Sequence, residues 1–123
     1  MLRQFLLVAL GGALGSALRY LTALLLARHY TGSIPLATLV VNLVGCFLIG
    51  LLIGLCSDMA HLRLLFITGF CGGFTSFSTF TAESYSMFRE GAYGLALLYI
   101  AGSVLIGLLA LWLGICLSRL VAS

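Results

Sequence analysis

Charge is scarce in this sequence. Of 123 residues only 7% are charged, six of them basic and three acidic. A soluble domain carries about 25%, and a surface this poor in charge cannot stay wetted. Hydrophobic residues make up 63% of the chain, and the mean hydropathy is +1.25. The chain therefore reads as a single-domain integral membrane protein. Lysine is absent, and the six arginines are scattered. That excludes a nucleic-acid-binding patch or a polybasic lipid-binding cluster. The two histidines, His29 and His61, fall in loops, and no nucleophile–base–orienter set accompanies them, so no enzyme is expected. The four cysteines (Cys46, Cys56, Cys71 and Cys116) form no CxxC pair. They read as small core residues, with a metal site or disulfide as the alternative.

Four apolar stretches are present, at about residues 4–27, 34–56, 62–88 and 92–117. Each exceeds the roughly 20 residues a helix needs to cross a bilayer. The fold class expected is an all-α membrane protein of four helices, occupying residues 1–123 as one domain. The first stretch, with Arg3 before it and Gly15-Ser16-Ala17 within it, has some features of a signal peptide. Three further spans follow it, and it carries features that a discarded peptide would not need. Ser33 and Pro35 suit the start of the second helix. Four spans put both termini on one face. Arg3, Arg63 and Arg119 lie on that face; Arg28 and Arg89 lie on the other, with Arg19 inside the first span nearer that other side. Positive charge in short loops normally fixes orientation, and here it is balanced. Either the fold inserts one way by cues that charge does not carry, or it inserts both ways and pairs with its inverted copy. Gly11/Gly15, Gly50/Gly54 and Gly69/Gly73 have GxxxG spacing, and Ser103/Gly107 is a related small-residue pair. This spacing predicts a compact, oligomerising bundle.

Several polar residues sit at membrane depth. Arg19 either snorkels to the interface or faces a water-filled vestibule where it concentrates anions. Asn42 serves as interhelical hydrogen-bond glue or as an amide donor to an anion. Glu83 is the carboxylate within a span: a proton carrier, cation ligand or structural acceptor. Thr75, Thr79 and Glu83 share one face if that stretch is helical, with Ser76 beside them. Tyr99 and Ser103 extend such a line of hydroxyls on the fourth span. The stretch GGFTSFSTF, residues 72–80, puts helix-weakening glycines and hydroxyls in the middle of a span of about 27 residues. A helix break near 72–78 is expected. Irregular backbone at this depth is tolerated only where it is buried in protein or lines a cavity. Freed carbonyls there suit a cation, and the N-terminus of a resumed helix suits an anion. Phe77 and Phe80 then lie near each other, and ring edges carry positive potential that can hold a small anion.

TGFC followed by GGFTSFSTF, together with GGALGSALRY and PLATLVVN, resembles the Fluc (also called CrcB) family of fluoride channels, small microbial membrane proteins. The resemblance covers the whole chain. It implies an antiparallel, dual-topology homodimer in the inner (plasma) membrane, with two fluoride paths that export fluoride passively and so reduce its toxicity. By matching positions, Phe77 and Phe80 would be ring-edge ligands, Asn42 a donor beside the path, and Arg19 a vestibule residue. Ser78, Thr79, Glu83, Tyr99 and Ser103 would form a polar track. Backbone carbonyls of Gly72 and Thr75 from both subunits would hold a central, structural sodium ion. TSFSTF stands where the family often has TTFSTF, a change at residue 76 that keeps the hydroxyl. The competing reading is a small dual-topology proton-coupled exchanger of the multidrug type. That chemistry needs a carboxylate in the first span, where this chain has Arg19.

Overall fold

A computed structural model describes residues 1–29, 35–55 and 59–122. Ser33 and Cys56 lie outside the described residues. The helices are α1 (Leu2–His29), α2 (Leu36–Leu55), α3 (Ala60–Leu62), a π-helical stretch π1 (Arg63–Cys71), α4 (Gly72–Phe74), α5 (Phe77–Arg89) and α6 (Tyr93–Ala122). No strand is present among the described residues. Among the described residues four segments are long and apolar enough to cross a membrane: α1, α2, the run Ala60–Arg89, and α6. The described elements are all helices, and the chain is a multi-pass membrane protein; four crossings would return its two ends to one face.

Leu6, Leu10, Leu14, Leu18, Leu21 and Leu25 of α1 are all exposed. Their spacing of three and four residues makes a single outward stripe, as a lipid-facing helix requires. Along one edge of this stripe α1 presents Gly11 and Gly15, both buried. A Cβ on Gly15 would lie against the Phe70 carbonyl and 2.8 Å from the Phe74 nitrogen. One on Gly11 would meet the Leu65 carbonyl and the Phe70 nitrogen. The α1 backbone thus rests directly on π1 and α4. Gly50 likewise faces the Leu111 carbonyl of α6, and Gly54 faces Ser118. The glycine pairs of the first three spans are therefore used inside the subunit, α1 on the third span and α2 on α6. The close packing expected from their spacing is met within the chain, and these pairs carry no argument for association between copies.

Two local signals set the remaining geometry. The Pro35 carbonyl accepts the first bond of α2 from Leu39 N at 3.2 Å, a position where the missing proline N–H costs nothing. Gly91, with φ +84°, ends α5. Ala92 N donates to the Met87 carbonyl at 2.9 Å and Gly91 N to the Phe88 carbonyl at 3.1 Å. This is the glycine-terminated reversal that satisfies orphan carbonyls at a helix end. It folds α6 back on α5, so that Met87, Ala96 and Tyr99 form a buried cluster with Phe80 and Phe88 against it.

Candidate functional site

The site grows from two residues. Thr75 (φ −82°, ψ 158°) and Ser76 (φ −144°, ψ 96°) take extended backbone angles between α4 and α5. The local sequence favours this. Gly72 and Gly73 weaken the preceding turn, and Ser76 is a preferred cap for the helix that follows. The Ser76 Oγ accepts from Thr79 N at 3.2 Å and donates to Thr79 Oγ1 at 2.6 Å. Such a cap is worth about 1 kcal/mol. Because α5 begins at Phe77, Thr75 does not join Thr79 and Glu83 on one helical face. Its Oγ1 instead donates to the Cys71 carbonyl at 2.9 Å.

The interruption displaces backbone bonds, and side chains from two other spans take them up. Arg19 Nε donates to the Gly73 carbonyl at 3.2 Å. Ser76 N donates to Asn42 Oδ1 at 2.9 Å. With its oxygen held in this way, the Asn42 amide presents its N–H₂ group as a donor. No backbone N–H reaches the carbonyls of Gly72 and Thr75 among the described residues. Hard oxygen donors of this kind suit a cation such as sodium. No cluster of three or more histidine, cysteine or acidic side chains is found among the described residues.

Cavities flank the extended pair. One of about 240 Å³ is lined by Ser16, Arg19, Tyr20, Thr38, Ser76 and Thr79 among others. Arg19 therefore faces a polar hollow within the bundle. A second, of about 270 Å³, is lined by Asn42, Cys46, Thr75, Phe77, Phe80 and Ser103 among others. The rings of Phe77 and Phe80 are 6.0 Å apart and tilted by 44°. Phe80 also lies 5.1 Å from Tyr99, tilted by 49°. Phe77 is 76% exposed, on the open side of this cavity.

Glu83 Oε1, Tyr99 Oη and Ser103 Oγ are buried yet make no hydrogen bond among the described residues. Buried polar atoms are ordinarily satisfied, so these three are exceptions that a polar ligand or water would satisfy. The Thr38 and Tyr99 side chains lie beside the Glu83 carboxylate, although the Glu83 Oε1 and Tyr99 Oη atoms reach no hydrogen-bond geometry. Thr38 was missed in the sequence. It is buried and touches both the first cavity and the Glu83 group. Its one signal was a hydroxyl four residues before Asn42 in an apolar run. Ser78 lines neither cavity and is exposed, and its carbonyl accepts from Thr81 Oγ1 at 2.9 Å. The thiols of Cys46, Cys71 and Cys116 are free.

The family described as CrcB-like protein, Camphor Resistance (CrcB), matches residues 6–115. The chain belongs to this family. Among similar members, a protein of Azobacteroides pseudotrichonymphae is 42% identical over 123 residues, covering 97% of this chain and 98% of its own. One from Chlorobium chlorochromatii is 46% identical over 123 residues, with 97% and 95% covered. One from Methylobacillus flagellatus is 46% identical over 116 residues, with 90% and 91% covered. All three bear the name fluoride-specific ion channel FluC. These CrcB-like relatives match nearly end to end, so the site described above falls within the shared region.

Proposed function

We propose that the protein is a fluoride-selective channel of the plasma membrane that exports cytoplasmic fluoride passively. The observation that carries the reading is the row of unpaired polar atoms on Glu83, Tyr99 and Ser103, joined to the Phe77–Phe80 pair and the Asn42 amide. The relatives bearing the name of a fluoride-specific ion channel support it. Arg19 draws an anion into the first cavity, where the Ser76 and Thr79 hydroxyls receive it. Asn42 donates beside the extended pair, and the edges of Phe77 and Phe80 replace water around the ion. The Tyr99 and Ser103 hydroxyls continue the track. A membrane potential supplies about 2.3 kcal/mol per charge per 100 mV, so no pump is needed. A proton-coupled exchanger gains no support, because α1 holds no carboxylate.

The working unit in this reading is an antiparallel homodimer inserted both ways, with the third span acting as a broken helix at its centre. Two features support this. The arginines balance, and Phe77 is left exposed, so a second copy would enclose it. Gly72 and Thr75 carbonyls from both subunits would hold sodium, which when bound ties the two interruptions together. A reporter fused after Ser123 is expected on both sides of the membrane in about equal amounts, and exchanging sodium for N-methylglucamine is expected to lower the thermal midpoint. A reporter confined to one side would sink the inverted pair. An unchanged midpoint would sink the sodium site.

Transport is tested with liposomes loaded with potassium fluoride, chloride serving as the control. Fast fluoride release that requires valinomycin, without chloride release, is the expected result. Absence of release from folded protein refutes the channel.

A further inference from the structure

The membrane face that carries both termini has a second polar hollow, remote from the anion track. It has a volume of about 390 Å³ and is lined by Met1, Arg3, Gln4 and His61 over a floor of Leu7, Ala60 and Leu64. Beside it runs an apolar furrow of about 340 Å³, lined by Leu2, Arg3, Leu6, Leu7 and Leu10. Arg3 and Leu7 line both, so hollow and furrow adjoin across these two residues. Among the described residues no carboxylate lines either of them, and none of those residues forms an ion pair with Arg3.

We propose that hollow and furrow together bind one anionic phospholipid per subunit. The two halves match the two halves of such a molecule. Arg3 presents a guanidinium fork suited to a phosphodiester. Gln4 and His61 add hydrogen-bonding groups that suit the glycerol hydroxyls of a phosphatidylglycerol. At about 30 Å³ per water, the hollow has the room of roughly a dozen waters, enough for that headgroup. The furrow follows α1 down the exposed leucine stripe towards the hydrocarbon, the path of an acyl chain. Leu7 marks the depth at which head gives way to tail. The site is a pocket for a single lipid, distinct from the polybasic clusters that gather anionic lipids loosely and that this sequence lacks. A free phosphate would use the hollow and ignore the furrow, and their adjacency across Arg3 and Leu7 is why the lipid is the occupant.

Native mass spectrometry tests this on the whole chain in detergent, with equal amounts of phosphatidylglycerol and phosphatidylcholine bearing the same acyl chains. Wild-type protein is expected to retain one phosphatidylglycerol per subunit in preference to phosphatidylcholine. Arg3→Gln is expected to reduce that preference about 10-fold, the scale of a lost hydrogen bond to a charged group. Arg119→Gln removes a charge from the same membrane face but outside both cavities, and it is expected to leave the preference intact. Millimolar inorganic phosphate is expected not to displace the lipid. Equal retention of the two lipids by wild type overturns the proposal, as does an unchanged preference in Arg3→Gln. Displacement by phosphate overturns it too and marks a free-anion site. An equal loss in Arg119→Gln reduces the effect to net charge and rejects the pocket. The elution volume of Arg3→Gln on size exclusion checks that the variant is folded, independently of any transport assay.

Discussion

Phe80→Ala is expected to slow fluoride release from liposomes on the order of 100-fold and, because Phe80 packs on the buried Met87–Ala96–Tyr99 cluster, to lower the melting temperature while the protein still elutes as the wild type does. A desolvated contact to an ion is worth about 1.5–3 kcal/mol, and ~2.7 kcal/mol corresponds to roughly 100-fold in rate. Phe80 packs against Tyr99 on one side and Phe77 on the other, so its removal also loosens the aligned edges. Phe77→Ala touches less of its own subunit and is expected to act on flux with little effect on folding. Unimpaired flux in both variants would remove the rings from the pathway and leave the hydroxyls and Asn42 to carry selectivity. Measuring initial rates with and without valinomycin separates this outcome from a general leak.

Gly15→Val is expected to yield no folded protein. The first atom of the new side chain would press on the Phe70 carbonyl and the Phe74 nitrogen. These are backbone atoms, so no rotamer change relieves the clash. Overpacking where side chains can move costs about 1–3 kcal/mol; here α1 itself must move away from the third span. That shift would pull Arg19, one turn further along α1, off the Gly73 carbonyl. Gly102→Ala is the matched control, since nothing lies within 4 Å of the position of its added carbon. Wild-type expression and elution of Gly15→Val would mean that α1 does not lie on the third span as described.

The four spans were legible because hydropathy over about 20 residues is a property of composition alone. The polar residues of the track were legible because each is an exception in an apolar run. Partnership was not legible. Spacing says that Gly11/Gly15 and Gly50/Gly54 invite a close neighbour, and it cannot say whether that neighbour belongs to the same chain. The face shared by Thr75, Thr79 and Glu83 rested on helical phase, and two extended residues reset that phase before Phe77. Thr38 escaped because a lone threonine in a helix commonly bonds its own backbone, and only the approach of Glu83 from another span sets it apart. The π-helical turn before Gly72 left no pattern, since its widened ladder leaves composition unchanged.

An even number of crossings has a topological consequence. If two copies of this chain were fused end to end by a short linker, the second would start on the face where the first finished, and the halves would be parallel. Making an inverted pair from one polypeptide requires an odd number of additional crossings between the halves, the simplest being one apolar helix. Gene fusion, in nature or in the laboratory, would therefore have to invent a fifth helix before it could produce the inverted pair proposed above.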